Sequence, residues 1–288
     1  MPRRWIITTA ALVALVPATA GILGGWRASR QLNETFEVQV EHLPADLDVD
    51  LDRGQALAAA TCGVCHGEDL GGRALFDDPM LGHIDAPNLT RGRGGIGATL
   101  DDDALLRAVR QGVAADGRSL VVMPSQDFGG MSAADLASLF AAVRAAPPID
   151  RATDPPRFTP FGRALIGLGA FGDLRAAPKT RHRDPMVAAT PDDPARRGAY
   201  FVRAASCRSC HGEDLRGGRD PNPDAPPGPD LTRTGRLASW GEADFLRALR
   251  EGVRPDGSSI DPEFMPWQGF GAAPDADLRA VWAYLQSQ

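Results

Sequence analysis

Two matching stretches of this chain read GQALAAATCGVCHGEDLGGR at residues 54–73 and GAYFVRAASCRSCHGEDLRGGR at residues 198–219. Each stretch contains the pattern C-x-x-C-H, as CGVCH at residues 62–66 and as CRSCH at residues 207–211. These two patterns hold all four cysteines of the chain. The chemistry of the molecule therefore depends on what a cysteine pair followed by a histidine does.

The pattern C-x-x-C-H is the attachment signal for c-type haem. Two thiols at this spacing add to the two vinyl groups of one porphyrin, and the following imidazole lies under the iron as an axial ligand. We predict two covalently bound haem c groups. The cysteines that attach them and the histidines that ligate iron are Cys62, Cys65 and His66 in the first copy, and Cys207, Cys210 and His211 in the second.

Other uses of four cysteines fit this spacing less well. A four-cysteine zinc site has its pairs about 15–20 residues apart, whereas the two pairs here are separated by 142 positions, from residue 65 to residue 207. A thioredoxin-type redox pair belongs to a βαβ pattern, which is absent from this sequence. A disulfide framework suits an exported protein but leaves the histidine after each pair unexplained.

The repeat continues beyond the cysteines with its order preserved. The matched segments are PNLT and PDLT (87–90 and 229–232), LLRAVRQGVAADG and FLRALREGVRPDG (105–117 and 245–257), two Met-Pro pairs (123–124 and 265–266), and SAADLASLFAAV and PDADLRAVWAYL (132–143 and 274–285). Matching order and spacing predict a duplicated domain of about 100 residues rather than a solenoid of short repeats. We place the two domains at residues 51–150 and 193–288.

Helix signals occur at matching positions in both copies. Thr99 and Ser239 begin capping boxes or close variants before the middle helix, and Gly112 and Gly252 are suited to end it. Ser132 begins the last helix of the first copy. No run of alternating strand residues is evident. We predict an all-α fold in which each domain has a few short helices and long loops around a covalent haem.

The second axial ligand of each iron is predicted from the repeat. Met123 and Met265 both precede proline in the loop before the last helix. Core packing is the ordinary role of a methionine, but the shared position favours iron ligation. A His/Met pair fills both axial positions, raises the reduction potential and leaves no open site for a substrate. Weaker candidates, without a counterpart in the other copy, are Met80, Met131 and His83, while His42 is expected at the surface.

Repeated residues also predict further contacts of the haem sites. A ligating imidazole donates its other N–H to a carbonyl, and Pro87 and Pro229 stand at matching positions to offer that carbonyl. Arg73 and Arg219 occur in a Gly-Gly-Arg sequence after each site and are candidates for pairing with the haem propionates. A solvated surface charge is the alternative role for each arginine.

Residues 1–30 are predicted to be a membrane anchor or a signal sequence. The stretch from Trp5 to Trp26 has 22 residues and no charge, and a helix of this length reaches about 33 Å, enough to cross a bilayer core of about 30 Å. The alternative is a signal sequence that is cleaved after an A-x-A pattern ending at Ala20. Under either interpretation the remainder of the chain is exported, and we favour the anchor.

Two further segments and the overall charge complete the organisation. Residues 31–50 are predicted to be an extended stalk. Residues 151–192 are a proline-rich connection whose apolar residues are expected to pack across a domain surface. The formal net charge of −6 argues against nucleic acid as a partner.

The motifs CHGEDLGG, PNLT and the Met-Pro loop, together with the terminal helix, resemble class I cytochrome c domains. An anchor and stalk followed by two such domains resemble membrane-anchored dihaem cytochromes c. The connection and the start of the second domain, PPRF…RRGAYFVRAASCRSCH, are similar to the cytochrome subunits of bacterial membrane-bound alcohol and gluconate dehydrogenases. Those subunits usually have three haem sites, and this chain has two. The resemblance implies that His66 is paired with Met123, and His211 with Met265.

The resemblance implies an electron carrier rather than an enzyme. Such a protein takes single electrons from a dehydrogenase-type donor and passes them to a soluble cytochrome or a terminal oxidase. We expect it at the outer, periplasmic face of the cytoplasmic membrane, or free in the periplasm if the chain is cleaved at Ala20. The alternative function is a dihaem enzyme of the peroxidase or thiosulfate-oxidising type, in which one axial ligand can be displaced.

Overall fold

Two helical domains joined by a long connection form the computed structural model of the chain, which describes residues 19–180, 186–187, 189–219 and 225–288. Residues 19–32 are helix α1. The helices of the first domain are α2 (Leu51–Thr61), α3 (Gly63–His66), α4 (Asp102–Gln111), α5 (Ser125–Phe128) and α6 (Ala133–Ala145). The connection contains α7 (Pro160–Gly167), and the second domain contains α8 (Pro194–Ala204), α9 (Cys207–His211), α10 (Glu242–Glu251), α11 (Trp267–Gly271) and α12 (Asp275–Gln286). Short 3₁₀ helices lie at Gly97–Thr99, Ala177–Lys179 and Arg236–Ser239.

The two domains repeat one order of helices, so the prediction of a tandem, mainly helical fold is confirmed. In each domain the first helix packs against the last, α2 against α6 and α8 against α12. Gly54 and Gly198 occupy the same repeat position at these contacts. A Cβ on Gly54 would lie 2.0 Å from the carbonyl oxygen of Ser138, and a Cβ on Gly198 would lie 2.0 Å from that of Ala280. Glycine at these two positions therefore sets the distance between the paired helices.

Some of the predicted helix ends are found in the structure. The backbone N–H of Asp135 donates to Ser132 Oγ at 3.1 Å, which caps the start of α6. Gly112 and Gly252 follow α4 and α10 in the left-handed conformation, with φ of 66° and 67°. Glycine is suited to both positions because it adopts positive φ without a Cβ penalty.

The predicted caps Thr99 and Ser239 are wrong. Thr99 ends a 3₁₀ helix, and α4 is capped instead by the carboxylate of Asp101. Ser239 also lies in a 3₁₀ helix, and α10 begins after Gly241, whose N–H donates to the Asp244 carboxylate at 3.0 Å. An aspartate close to the helix start accepts a backbone N–H as well as threonine or serine does, and it also suits the positive end of the helix dipole.

Two small antiparallel sheets, which the sequence did not predict, follow the C-x-x-C-H sites. The first domain has β1 (Arg73–Asp78) and β2 (Gly82–Ala86), joined by β3 (Arg157–Phe158) from the connection, and the second has β4 (Arg216–Gly218) and β5 (Gly228–Asp230). The register of β1 shifts between Ala74 and Phe76. Strands this short and irregular produce no sustained alternation of apolar and polar residues, which explains why the pattern gave no signal.

The connection follows the surface of the first domain, as the apolar content of residues 151–192 predicted. β3 pairs with β2 through Phe158 and Gly82. Thr159 caps the start of α7, and its backbone N–H donates to the Leu81 carbonyl at 3.1 Å. Near the end of the connection, the Thr190 hydroxyl donates to Asp135 at 2.8 Å.

The predicted anchor or signal, residues 1–30, lies largely outside the described residues, which begin at residue 19. Among the helices of the described ranges, none combines the length and the apolar character needed to cross a membrane. Residues 33–50, predicted as part of a stalk, run along the first domain. The backbone N–H of Phe36 donates to the Gly117 carbonyl at 2.8 Å, and Arg110 pairs with Glu41 at 2.6 Å.

Candidate functional site

The first C-x-x-C-H pattern lies at the junction of α2 and α3. Cys62 ends α2 and begins α3, and the backbone N–H of His66 donates to the Cys62 carbonyl at 2.8 Å. This helical turn places Cys62 and Cys65, three residues apart, on one face. In the second domain Cys207–His211 form the short helix α9, which follows Ser206 in the left-handed conformation. Both sites place the cysteine pair on one helical turn, although the chain enters that turn differently.

The first cysteine of each pair packs against the hydrophobic core. All four cysteines lie in the described part of the chain, and none forms a disulfide. Burial raises the pKa of Cys62 to about 11 and that of Cys207 to about 12. An apolar wall of this kind suits covalent attachment to the edge of a porphyrin.

Each site histidine is oriented by a proline carbonyl. The distance from His66 Nδ1 to the Pro87 carbonyl oxygen is 2.8 Å, and from His211 Nδ1 to the Pro229 carbonyl oxygen it is 2.9 Å. The predicted role of both prolines is confirmed. A carbonyl can only accept, so Nδ1 is the donor and Nε2 carries the lone pair of the neutral ring. Burial lowers the pKa of both histidines below the ordinary 6.5, although the carbonyl hydrogen bond opposes this shift. Both imidazoles are therefore held in the form that ligates iron.

A buried asparagine, which sequence reasoning missed, directly follows Pro87 and binds this segment to residues 149–151. Asn88 has no exposed surface. Its Nδ2 donates to the carbonyls of Ile149 at 2.7 Å and Arg151 at 3.0 Å, and its Oδ1 accepts from the Thr90 hydroxyl at 2.8 Å. In the second domain the equivalent residue is Asp230, whose carboxylate accepts from a threonine backbone N–H at 2.7 Å. The repeated PNLT and PDLT sequences were the signal that could have identified these residues.

The described methionines differ in how deeply they are buried. Met123 and Met265 stand just before α5 and α11 and are half-buried against the core. Met131 is 1% exposed and belongs to the core, and Met80 is 65% exposed in the turn between β1 and β2. Met186, in the connection, is also half-buried against the core, but it lies outside the two matched domains. Met123 and Met265 share one structural position, as they share one position in the repeat.

The other histidines considered as ligands lie in hydrophilic settings. His83, on β2, is close to two carboxylates, with Nδ1 at 3.2 Å from Asp77 and Nε2 at 2.7 Å from Asp85. His42 is exposed and lies 2.8 Å from Asp103. Both ring nitrogens of His83 lie within 3.2 Å of carboxylate oxygens, which separates it from the two C-x-x-C-H histidines.

The two repeated arginines differ in their contacts. Arg73 donates to the carbonyl of Val64, inside the first C-x-x-C loop, at 2.8 Å. Arg219 is exposed at the edge of the described residues. Pairing with propionates stays a prediction for both.

Each domain lies against the C-x-x-C loop of the other. On one side, Ser209 Oγ is 3.4 Å from the Asp127 carboxylate of α5. On the other side, a Cβ on Gly269 of α11 would be 2.5 Å from the Ala59 carbonyl oxygen and 3.7 Å from Val64. Val64 and Ser209 hold the same place in the two patterns, and Asp127 and Gly269 hold the same place after the two Met-Pro pairs. The two contacts are equivalent under exchange of the domains, so the duplicated units face each other with approximate twofold symmetry.

Buried charges join the domains at this interface. Arg53 of α2 binds Asp135 of its own domain at 2.5 Å and Asp277 of the second domain at 2.8 Å. Arg197 of α8 binds Asp277 at 2.6 Å. The Tyr200 hydroxyl donates to Asp135 at 2.6 Å. The side chains of Asp135 and Asp277 are almost fully buried. The ion pairs and hydrogen bonds from these partners therefore offset the loss of water around each carboxylate.

Comparison with known protein families gives two matches within this chain. The family model described as cytochrome c oxidase, cbb3-type, subunit III matches residues 49–141 and residues 193–285. The chain belongs to this family. Each match contains one C-x-x-C-H pattern and the Met-Pro pair that follows it. The protein is therefore a c-type cytochrome with two tandem cytochrome c domains.

Known relatives of this cytochrome include subunits of dehydrogenases. The fructose dehydrogenase cytochrome subunit of Gluconobacter japonicus is 28% identical, over 96% of this chain and 59% of that protein. A nicotinate dehydrogenase subunit from Pseudomonas putida is 36% identical over 44% of this chain and 11% of that protein. The cytochrome c subunit of the quinone alcohol dehydrogenase of Gluconobacter oxydans is 31% identical over 31% of this chain and 20% of that protein. The cytochrome thus spans about three fifths of the first relative, and less of the other two.

The residues of this cytochrome fit a covalently bound haem c. Each domain offers two cysteines on one helical turn, a neutral imidazole with a lone pair on Nε2, and apolar packing around the first cysteine of the pair. A cytochrome c domain with this donor set transfers electrons, and two of the three relatives are named as cytochrome subunits. The chain is an electron-transfer component.

Proposed function

We propose that this cytochrome holds two haem c groups and relays single electrons from a dehydrogenase-type donor to a respiratory acceptor. The observation that carries the proposal is the matched pair of histidines, His66 and His211, each locked by a proline carbonyl in the iron-ligating form. Both histidines belong to one body, because the domains are joined by buried ion pairs. A protein with two equivalent redox sites in fixed relation is suited to carrying charge from one side to the other.

The residues that hold the two groups are proposed to be the same in each domain. Cys62 with Cys65, and Cys207 with Cys210, form the covalent attachments. His66 and His211 supply one axial ligand each, and the half-buried methionines before α5 and α11 supply the other. When bound, haem iron supplies the one-electron chemistry, cycling between its ferrous and ferric states. The chain itself attaches, orients and shields the group.

A relay is favoured over the dihaem enzyme because both domains offer the same ligands. An enzyme of the peroxidase type needs one iron with an open or displaceable position. Met123 and Met265 have the same place in the repeat and the same half-buried setting. The two methionines therefore give no reason to assign a displaceable axial ligand to one domain rather than the other.

The names of the relatives support the choice of donor. Two of the relatives are named as cytochrome subunits, of a fructose dehydrogenase and of an alcohol dehydrogenase. By analogy, the donor of this chain is proposed to be the catalytic subunit of a dehydrogenase, and the acceptor a cytochrome or a terminal oxidase. The uncharged stretch from Trp5 to Trp26 supports anchoring to the cytoplasmic membrane, with the two domains on its outer face.

A redox titration of the purified chain, followed by absorbance and by magnetic spectra, tests the proposal. We expect two one-electron transitions and two low-spin irons, both with the near-infrared band of methionine-to-iron coordination. A high-spin iron, or fast reaction of the reduced protein with peroxide, would favour the dihaem enzyme. Co-purification of the chain with a dehydrogenase catalytic subunit from its native membrane tests the donor.

A further inference from the structure

Helix α1 exposes its large apolar side chains and buries its small ones. Gly24 and Ala28 face inward, whereas Ile22 is 73% exposed, Leu23 is 60% exposed and Trp26 is 57% exposed. These three residues recur at helical spacing, so they form one face of α1. A helix that faces water on its outer side normally has the reverse arrangement. The outer face of α1 is therefore built for contact with something apolar.

The neighbouring helix α7 has the same property. A Cβ on Gly24 would lie 2.5 Å from the Ala164 carbonyl oxygen, and a Cβ on Gly167 would lie 1.8 Å from the Gly24 carbonyl oxygen, so α1 and α7 are in close contact. Phe161 and Leu168 are both more than half exposed, and they are seven residues apart, which places them on one side of the helix.

The two apolar faces adjoin each other. Arg27, on the exposed side of α1, and Leu168, at the end of α7, line the same shallow cleft. Phe171 follows α7 and is also exposed. We call the set Ile22, Leu23, Trp26, Phe161, Leu168 and Phe171 the α1–α7 surface. Large apolar side chains gathered in this way mark a binding surface rather than ordinary solvent exposure.

We propose that the α1–α7 surface lies in the interfacial layer of a lipid bilayer, beside the point where the chain enters it. The proposal rests on the membrane attachment put forward above. Its main support is continuity: the uncharged stretch that begins at Trp5 runs directly into the exposed face of α1 and ends at Trp26. The surface is thus an extension of the apolar stretch onto the folded domain.

The polar residues around the surface match the headgroup region. Arg27 and Arg30 are exposed and follow the last uncharged residue. The guanidinium of Arg30 lies 4.9 Å from the centre of the Trp26 ring. Tryptophan prefers the boundary between lipid and water, and arginine is attracted to acidic headgroups. This order, from apolar to aromatic to basic, follows the polarity of a bilayer from its core outward.

The contact gives the protein an orientation. α7 is linked to the first domain through the pairing of β3 with β2, and the bridge between Val121 and Arg175 links the segment after α7 to the same domain. The first domain therefore stands next to the lipid, and the second domain is left accessible to redox partners.

The test uses the full-length, haem-loaded chain in vesicles of phosphatidylethanolamine and phosphatidylglycerol. The cysteines at the two sites are consumed by haem attachment, so a single introduced cysteine carries a nitroxide label. The labelled variants are Ile22→Cys on α1 and Leu168→Cys on α7. Controls are two exposed residues outside α1 and α7: Val40→Cys in the segment that runs along the first domain, and Ala276→Cys in the second domain. Accessibility to oxygen, which concentrates in lipid, is compared with accessibility to a water-soluble nickel chelate.

We expect the labels at 22 and 168 to gain oxygen accessibility several-fold over the two controls and to be shielded from nickel. If the label at 22 is in lipid but the label at 168 stays in water, the membrane attachment holds and the α1–α7 surface proposal is wrong. If all labels are in water and the protein does not float with vesicles, membrane attachment fails as well. Shielding of position 168 only after addition of a dehydrogenase subunit would assign the surface to a protein partner and overturn the proposal.

Discussion

Arg53 of the first domain and Asp277 of the second form an ion pair across the domain boundary, with 2.8 Å between Nη1 and a carboxylate oxygen. The same guanidinium binds Asp135 of its own domain, and Arg197 binds Asp277 from the other side. Arg53 and Arg197 precede the two glycines at the paired-helix contacts, and the two aspartates lie in the first turns of the two last helices. The repeat thus contributes one arginine and one aspartate from each copy to a shared buried cluster.

Replacing Arg53 with methionine is expected to lower the free energy of unfolding by about 3 kcal/mol. The change removes a partner from two almost fully buried carboxylates, and breaking a buried pair costs more than a surface pair. Denaturant unfolding followed by circular dichroism measures the loss. The matched control is Arg93→Met, which removes a 90% exposed partner of Asp150 and should cost less than about 1 kcal/mol. Equal effects of the two substitutions would refute the buried role of Arg53.

Replacing Asn88 with alanine is expected to affect only the first haem site. The substitution removes four hydrogen-bonding contacts of a fully buried amide and should cost about 2 kcal/mol of stability. The loss frees the Pro87 carbonyl to move, so the reduction potential of one haem should change while the other stays constant. Potentiometric titration measures both reduction potentials, and Asp230→Ala is the equivalent substitution in the second domain. A shift of both potentials by Asn88→Ala alone would contradict this assignment.

The methionines can be separated by substitution. Met123→Ala and Met265→Ala should each remove the near-infrared methionine band from one haem and leave it on the other. Met131→Ala should keep both bands but lower the free energy of unfolding by about 3 kcal/mol, because it opens a cavity in the core. Met80→Ala, at an exposed position, should change neither. Loss of a band in the Met131 or Met80 variant would show that the ligands are misassigned.

The pH dependence of stability should contain a contribution from His83. The hydrogen bond to Asp77, assisted by the charge of Asp85, raises the pKa of His83 above its ordinary 6.5. A histidine with a raised pKa in the folded state stabilises the fold fully below pH 6.5, and the contribution is lost as the pH rises through the folded pKa. Unfolding free energies at a series of pH values from about 5.5 upward should therefore fall more for the parent chain than for His83→Gln. Parallel curves for the two proteins would argue against the pairing.

Much of the site could be predicted from the sequence because its chemistry is local. The C-x-x-C-H patterns specify attachment within one helical turn, and the repeat identified Pro87 and Pro229 as the carbonyls that orient the histidines. Glycines 112 and 252 were read correctly as helix ends, since positive φ is a property of the residue itself.

Features that depend on distant contacts were not predicted. The charge cluster joins residues up to 224 positions apart. These residues come into contact only when the two domains pack together. The repeated arginines and aspartates were present in the sequence, but solvated surface charge is the ordinary role of such residues. The β1–β2 hairpin was missed for a different reason, because β1 is mostly exposed and β2, although its burial alternates, has only five residues.

The mass of the intact, purified protein tests the central claim most directly. Covalent attachment at both sites predicts the mass of the polypeptide plus two haem groups, retained after denaturation in acid and organic solvent. A mass equal to the polypeptide alone, from a host that is able to attach haem to other c-type cytochromes, would contradict the account.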